Sequence, residues 1–262
     1  MKALFVAGAL ASLAGAAACQ ALLSIDPNVT ILDGGGAAAD GGAFSCTGST
    51  AILCDDFEEG DIDPGRWSII HIGAAVSIDS TRGNAGSGHS LHAQSDPVDA
   101  AGAVGLTGML YHSETLPDHF FLRLFAYVPS PLPPAGQPDI FAIVQKLGVS
   151  GMQLYVQNSD LTFTSWANQP NLNLSSGTTF TTDGWRCVEW EIQESPGGQA
   201  NGSMNVWLDG QSLPELTLND VVTPQYNVLQ FGISFGESVE QAAYDVWVDD
   251  IAVTTTRIGC SP

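Results

Sequence analysis

The hexapeptide EWEIQE, Glu189 to Glu194, is where the residue types of this chain come nearest to a catalytic pattern. On a strand, Glu189 and Glu191 point to one face, and two carboxylates sharing a face at the right separation are what acid-assisted cleavage of a glycosidic bond needs. Cys187 has the same parity, however, and a disulfide there would turn that face toward a rim or a second sheet. Glu189 and Glu191 are therefore weak catalytic candidates, and no catalysis is expected from them.

A second concentration of chemistry is LCDDFEEGDIDPGRWS, Leu53 to Ser68, which packs six carboxylates between Asp55 and Asp63. It lacks the D-x-D-x-D-G spacing of an EF-hand loop. Asp61 and Asp63 read as turn formers ahead of Pro64-Gly65, Glu58 and Glu59 read as solvated acids unless a metal is held, and no metal role is expected of Asp55, Glu59, Asp61 or Asp63. The histidines suggest no site: His89 and His92 alternate across a strand, and His71, His112 and His119 read as loop residues. The glycine-rich TRGNAGSGHS lacks the strand-to-helix setting of a nucleotide loop.

These residues have to be positioned by a chain whose first part reads as an address. Lys2, the apolar run Ala3 to Leu13 and the small residues before Cys19 form a secretory signal over residues 1–18. AAAC resembles a bacterial lipobox, which makes Cys19 the expected lipidation site, although Ala16 stands where Leu is usual and plain secretion after Ala18 is the alternative. Removing Cys19 to a lipid leaves Cys46, Cys54, Cys187 and Cys260, an even set suited to an oxidising compartment. Cys46 with Cys54 and Cys187 with Cys260 is the favoured pairing, since the second closes a long loop worth about 4 kcal/mol; Cys46 with Cys260 is the rival. Residues 19–45, with DGGGAAADGG at their centre, read as a flexible tether, and residues 46–262 as one domain. The expected location is the cell envelope, outer membrane or cell surface, with secretion as the alternative.

Seven basic residues against twenty-eight acidic ones give a formal charge of −21. Such a surface repels nucleic acid and anionic polysaccharide. A neutral glycan or a partner protein is the expected ligand, with membrane contact only through the lipid.

Period-2 alternation between Gly, Pro and Asn breaks dominates the domain, with no sustained helical spacing. Strands are expected near Ile52 to Glu58, Ser90 to Gln94, Phe120 to Val128, Ile140 to Leu147, Met152 to Gln157, Leu161 to Trp166, Arg186 to Ile192, Ser203 to Leu208, Val228 to Phe235 and Tyr244 to Val253. Ten or so strands and almost no helix mean a sandwich or barrel. In MQLYVQ the residues Gln153, Tyr155 and Gln157 form a polar face suited to a sugar. In FFLRLFAYV the face of Phe121, Arg123, Phe125 and Tyr127 gathers rings around one arginine. Trp190 and Trp207 are expected in the core, and Trp166 as an exposed ring available for stacking.

Three segments in order carry a family resemblance. CDDFEEGDIDPGRW resembles the opening DDF…G…W of laminarinase-like and LamG-like domains, GWRCVEWEIQESPGGQANGSMNVWLDG resembles their paired strands ending before DG, and YDVWVDDIAVTTTRIGC is similar to their closing strand. The resemblance to the concanavalin A-like lectin/glucanase superfamily implies an all-β, two-sheet antiparallel jelly-roll sandwich with its first and last strands side by side. It also implies a structural calcium on the convex side, here from Asp56 or Glu58 facing Asp250 with Asp249 in reserve, and a glycan-binding concave face, here Arg123, Gln153, Tyr155, Gln157 and Trp166.

Two enzymatic alternatives come with the resemblance. In the hydrolases the catalytic strand falls nearer PDIFAIVQKLG, which supplies Asp139 and no second carboxylate. A lyase would draw on Arg123, Gln145, Lys146, Gln153, Tyr155 and Gln157, but R-x-E-x-R, Q-[IV]-H and K-A-G-x-Y-N-Q are all missing. The expectation is a non-catalytic, LamG-like carbohydrate-binding or adhesion module, with a polysaccharide-degrading enzyme as the alternative.

Overall fold

The computed structural model of the protein describes residues 44–97, 106–132, 138–139, 142–146, 150–157, 159–165, 172–223, 225–235 and 242–260. In chain order the strands are β1 (Leu53–Asp55), β2 (Ser68–Ile72), β3 (Ala74–Asp79), β4 (Ser90–Ser95), β5 (Leu106–Ser113), β6 (His119–Tyr127), β7 (Pro138–Asp139), β8 (Ala142–Lys146) and β9 (Ser150–Gln157). They continue as β10 (Asp160–Ser165), β11 (Leu172–Thr179), β12 (Trp185–Gln193), β13 (Gly202–Leu208), β14 (Gln211–Ser212), β15 (Leu218–Val221), β16 (Val228–Phe235) and β17 (Tyr244–Thr254).

Two antiparallel sheets form a jelly-roll sandwich. The back sheet runs β14-β13-β12-β6-β17-β4-β3, with β1 added to β17 and β15 to β13. The front sheet runs β11-β10-β9-β8-β16-β5-β2, with β7 added to β16. One face of each sheet is apolar at every second residue, and those faces meet. Leu122, Leu124, Val188, Trp190, Ile192, Val246 and Val248 come from the back sheet, and Leu110, Met152, Leu154, Phe163, Phe231 and Ile233 from the front. All are buried.

β1 pairs with β17 in the register Asp55↔Ile251, so the first and last strands are neighbours. β1 ends sooner than its alternation predicts because Phe57 takes a left-handed backbone at φ 54°, which extended pairing cannot continue. Four full strands escape the periodicity. β2 is a mostly exposed edge strand and β3 a short, partly buried one, turned at Gly73; β11 is rich in Ser, Thr and Gly, and β5 carries Gly108 where β3 approaches its backbone. His71, His112 and His119 consequently lie in strands rather than loops.

Disulfides join Cys46 to Cys54 and Cys187 to Cys260, a pattern of oxidising, extracytoplasmic compartments. No helix among the described residues is long and apolar enough to cross a membrane. Cys46→Ser with Cys54→Ser opens a loop of only 8 residues and should lower the unfolding free energy by about 2 kcal/mol, measured by urea denaturation of the oxidised proteins.

Candidate functional site

Alternation on β9 turns Met152, Leu154 and Val156 into the core and leaves Gln153, Tyr155 and Gln157 on the outer face of the front sheet. The back sheet does not cover them. Register extends this face across the sheet in one line, Asn173–Thr164–Gln153–Ile143–Gln230–Tyr111–Ser68. Apart from Ile143, every residue on it bears an amide or a hydroxyl. Gln153 and Thr164 are partly exposed, Asn173 and Ser68 exposed, and Gln230 nearly covered. Tyr155 departs from expectation: it is 0% exposed, and its hydroxyl bonds Thr164 Oγ1 at 2.9 Å and donates to Asn173 Oδ1 at 3.2 Å. It braces the line rather than offering a free phenol.

Sequence alternation identified Gln153 and Gln157 but missed Thr164, Asn173, Gln230, Tyr111 and Ser68. Gln230 between Leu229 and Phe231 was the available signal; what joins these residues is register, which alternation does not encode. Trp166 lies outside the described residues, as do the side chains of Asp139, Gln145 and Lys146.

Arg123 does not belong to this face. It stands on β6 of the opposite sheet and is 2% exposed. Its guanidinium lies 4.1 Å from the Phe44 ring and donates weakly to the Gly259 carbonyl at 3.4 Å. Burial pushes its pKa down, opposed by the charges of Asp250 and Glu189. Glu189 faces Arg123 across the β12–β6 register, is 1% exposed, and accepts hydrogen bonds from Arg257 Nη2 at 2.6 Å and Gly259 N at 2.7 Å. Glu191 contacts His119 Nε2 and accepts from Asn205 Nδ2, both at 2.8 Å. With the segment from Arg257 to Cys260 folded over Glu189, the pair does not line an open cleft. Trp207, expected in the core, pairs with Glu189 and lies on this outer face beneath Arg257.

The carboxylates of the opening segment separate into distinct jobs. Asp55 is a buried pin that accepts from Trp67 Nε1 and Phe57 N and pairs with Arg66 at 2.8 Å. Asp63 holds the turn by accepting from Gly65 N at 2.8 Å. Glu59 and Asp61 are exposed. Asp55, Asp56 and Glu59 bring ligand oxygens within 4.8 Å of one another, but those of Asp55 are committed to Trp67, Phe57 and Arg66.

Asp56 and Glu58 instead converge with β17. There a bulge between Asp249 and Ala252 inserts a residue, with Asp250 at φ 50°. It shifts parity so that Val248 and Ile251 both enter the core while Asp249 and Asp250 turn out together. Asn84 clamps the pair: its N–H donates to Asp249 Oδ2 at 2.9 Å and its amide to Asp250 Oδ2 at 2.8 Å. Asp56 accepts from Cys46 N at 2.8 Å, and Glu58 from Gly88 N and His89 N at 2.9 Å. Burial, then the Asp250 charge, pushes Asp249 up to about 8. Burial pushes Asp250 up to about 6, with Asp56 and Glu58 adding to the rise. Asp250 Oδ1 is buried without a hydrogen-bond partner among the described residues. Asp56 and Glu58 act on Asp250 through charge, but among the described residues no three of Asp56, Glu58, Asp249 and Asp250 bring ligand oxygens within 4.8 Å of one another.

The fold is thus of the antiparallel, concanavalin A-like jelly-roll class. No protein-family model and no curated protein matches the chain. Solved structures do. A cellulose-induced protein, Cip1, is 21% identical with a TM-score of 0.63, the match covering 79% of this chain and 99% of that one. An endo-β-1,4-glucuronan lyase from the fungus Trichoderma reesei is 17% identical with a TM-score of 0.63, over 79% and 96%. Alginate lyase vAL-1 from Chlorella virus is 10% identical with a TM-score of 0.58, over 79% and 100%. At these identities the likeness is one of fold.

Proposed function

We propose that the protein is an extracytoplasmic module, anchored through a lipid on Cys19, that binds a neutral glycan along the outer face of its front sheet without cleaving it. The observation that carries this reading is the register line from Asn173 to Ser68, whose amides and hydroxyls match the alternating donors and acceptors of a sugar chain. The charge of −21 favours uncharged sugars over uronates. A structural calcium belongs to the same reading: Asp249 and Asp250 would supply the first carboxylates, and the ion would draw Asp56 and Glu58 in toward them. There it would neutralise acids that otherwise repel one another, joining β1 to β17, and would supply structure rather than chemistry.

The structural likeness to two lyases, with Tyr111 and two glutamines on the line, favours one further reading: β-elimination of a uronate, a phenol acting as base and amides neutralising the carboxylate. Against it, the arginine that shares a hollow with Ser68 and Tyr111 is Arg66, whose guanidinium is already salt-bridged to Asp55 at 2.8 Å.

Titration with neutral oligosaccharides should detect binding that Gln153→Ala weakens about tenfold, the value of roughly one good hydrogen bond. Unchanged affinity in both Gln153→Ala and Gln230→Ala would remove the front-sheet reading. Ultraviolet absorbance from an unsaturated product on glucuronan or alginate would replace it with the lyase.

A further inference from the structure

The outer face of the back sheet carries a second ordered line, at the end away from Glu189. Register places Trp185, Tyr127, Trp247 and His92 side by side on four adjacent strands. Strands about 4.8 Å apart space these rings over about 14 Å. Trp185 meets Tyr127 edge-on at 5.9 Å, Tyr127 meets Trp247 at a right angle at 5.7 Å, and His92 stacks on Trp247 at 4.5 Å. All four are partly exposed.

Arg82 lies in the corner between two of these rings, its guanidinium 3.9 Å from the Tyr127 centroid and 4.3 Å from that of Trp247. Arg66, Arg186 and Arg257 are each salt-bridged to an acid, and Arg123 is buried; among the described residues Arg82 pairs with no carboxylate. Its position is fixed from both ends, since Ser90 Oγ donates to its carbonyl and Asn84, two residues on, is bonded to Asp249 and Asp250. Contact with both rings holds the guanidinium in the corner, and its N–H groups can bond outward. Asp245 borders the line, accepting from Gln94 Nε2 and contacting His92 Nε2.

We infer that this line is a second glycan-binding site, distinct from the front sheet, for an extended neutral chain crossing the strands. One residue per strand gives a spacing close to the rise of an extended polysaccharide; because Arg82 covers Tyr127 and Trp247 and His92 stacks on Trp247, the chain would meet polar edges along the line and a free ring face only at Trp185. Arg82 donates to hydroxyl oxygens, Asp245 accepts from hydroxyls, and Trp185 at the open end offers its ring to a C–H face. Asp245 and Asp79, which accepts from Trp247 Nε1 at 2.7 Å, make the rim unfavourable to a uronate or phosphate. The ligand is therefore neutral.

The test is indole N–H resonance of the six tryptophans in the full mature protein, titrated with neutral hexasaccharides of β-1,4-glucan, β-1,3-glucan and β-1,4-mannan. At least one should shift the Trp185 and Trp247 signals. The shift should persist in Gln153→Ala and weaken at least tenfold in Trp185→Ala and in Arg82→Gln; the latter changes a surface group and keeps the fold testable if the tryptophan variant is unstable. If no sugar moves these indoles, or if Gln153→Ala alone abolishes their shift, the second site is overturned. If these indoles shift while Gln153→Ala and Gln230→Ala both leave the overall oligosaccharide affinity unchanged, the front-sheet reading is overturned and this one stands.

Discussion

Glu189→Ala is expected to lower the unfolding free energy by about 3–5 kcal/mol, the usual consequence of stripping one partner from a buried charged network. Glu189 is 1% exposed and Arg123 2%, so the guanidinium would lose one of the two acids whose charge opposes its desolvation. The same change frees Gly259 N and Arg257, which tie the last segment over the back sheet. Glu191→Ala, which removes a partly exposed acid from His119 and Asn205, should lie within about 1 kcal/mol of the wild type. Urea denaturation of the two variants separates them. A catalytic pair would lose activity in both at unchanged stability; equal, small stability losses would refute the structural role of Glu189.

The second large effect concerns the cluster on β17. Asp249 and Asp250 have folded-state values of about 8 and about 6 against 3.8 for the free side chain, so the folded state binds more protons than the unfolded chain. Stability is then full below about pH 4 and is lost as pH rises through 6 and 8. With chelator present, the loss between pH 4 and 9 should be on the order of 5 kcal/mol. Calcium acts on the opposite side of this balance by favouring the ionised carboxylates. Added calcium should therefore flatten the curve and raise the melting temperature most at high pH. Melting curves from pH 4 to 9, with and without chelator, check both parts. Calcium that leaves the alkaline curve unmoved would eliminate the cation, while a flat curve in chelator would contradict the proton count. Asp250→Asn should lose the calcium response and melt higher than the wild type in chelator at pH 9.

Much of the sandwich was legible because its core strands alternate cleanly. MQLYVQ, FFLRLFAYV and VLQFGISF each announce an apolar and a polar face, and the structure turns the apolar sets inward. The edge strands β2 and β3 bury too little to leave such a trace. Pairing was harder to read than facing. Arg123 and Gln153 both looked outward from strands, yet they stand on opposite sheets, because no local pattern says which sheet a strand joins. Trp207 misled for a related reason: its neighbours Val206 and Leu208 are the buried set. The cluster shows the sharpest limit. Strict alternation sends Asp249 and Asp250 to opposite faces, and only the extra residue in β17 unites them; its mark is a left-handed backbone at Asp250, a conformation aspartate favours too weakly for the residue type to place a bulge.

The Phe44 ring and the Gly259 carbonyl both rest on Arg123, so the described domain from residue 44 to 260 has its two ends at one spot on the back sheet. A short linker could close it into a circle there and a new opening be cut in a distant turn, giving a circular permutant with the same architecture. Attachment through residue 44 or residue 260 would leave from the same patch, on the sheet opposite the outer face of the front sheet.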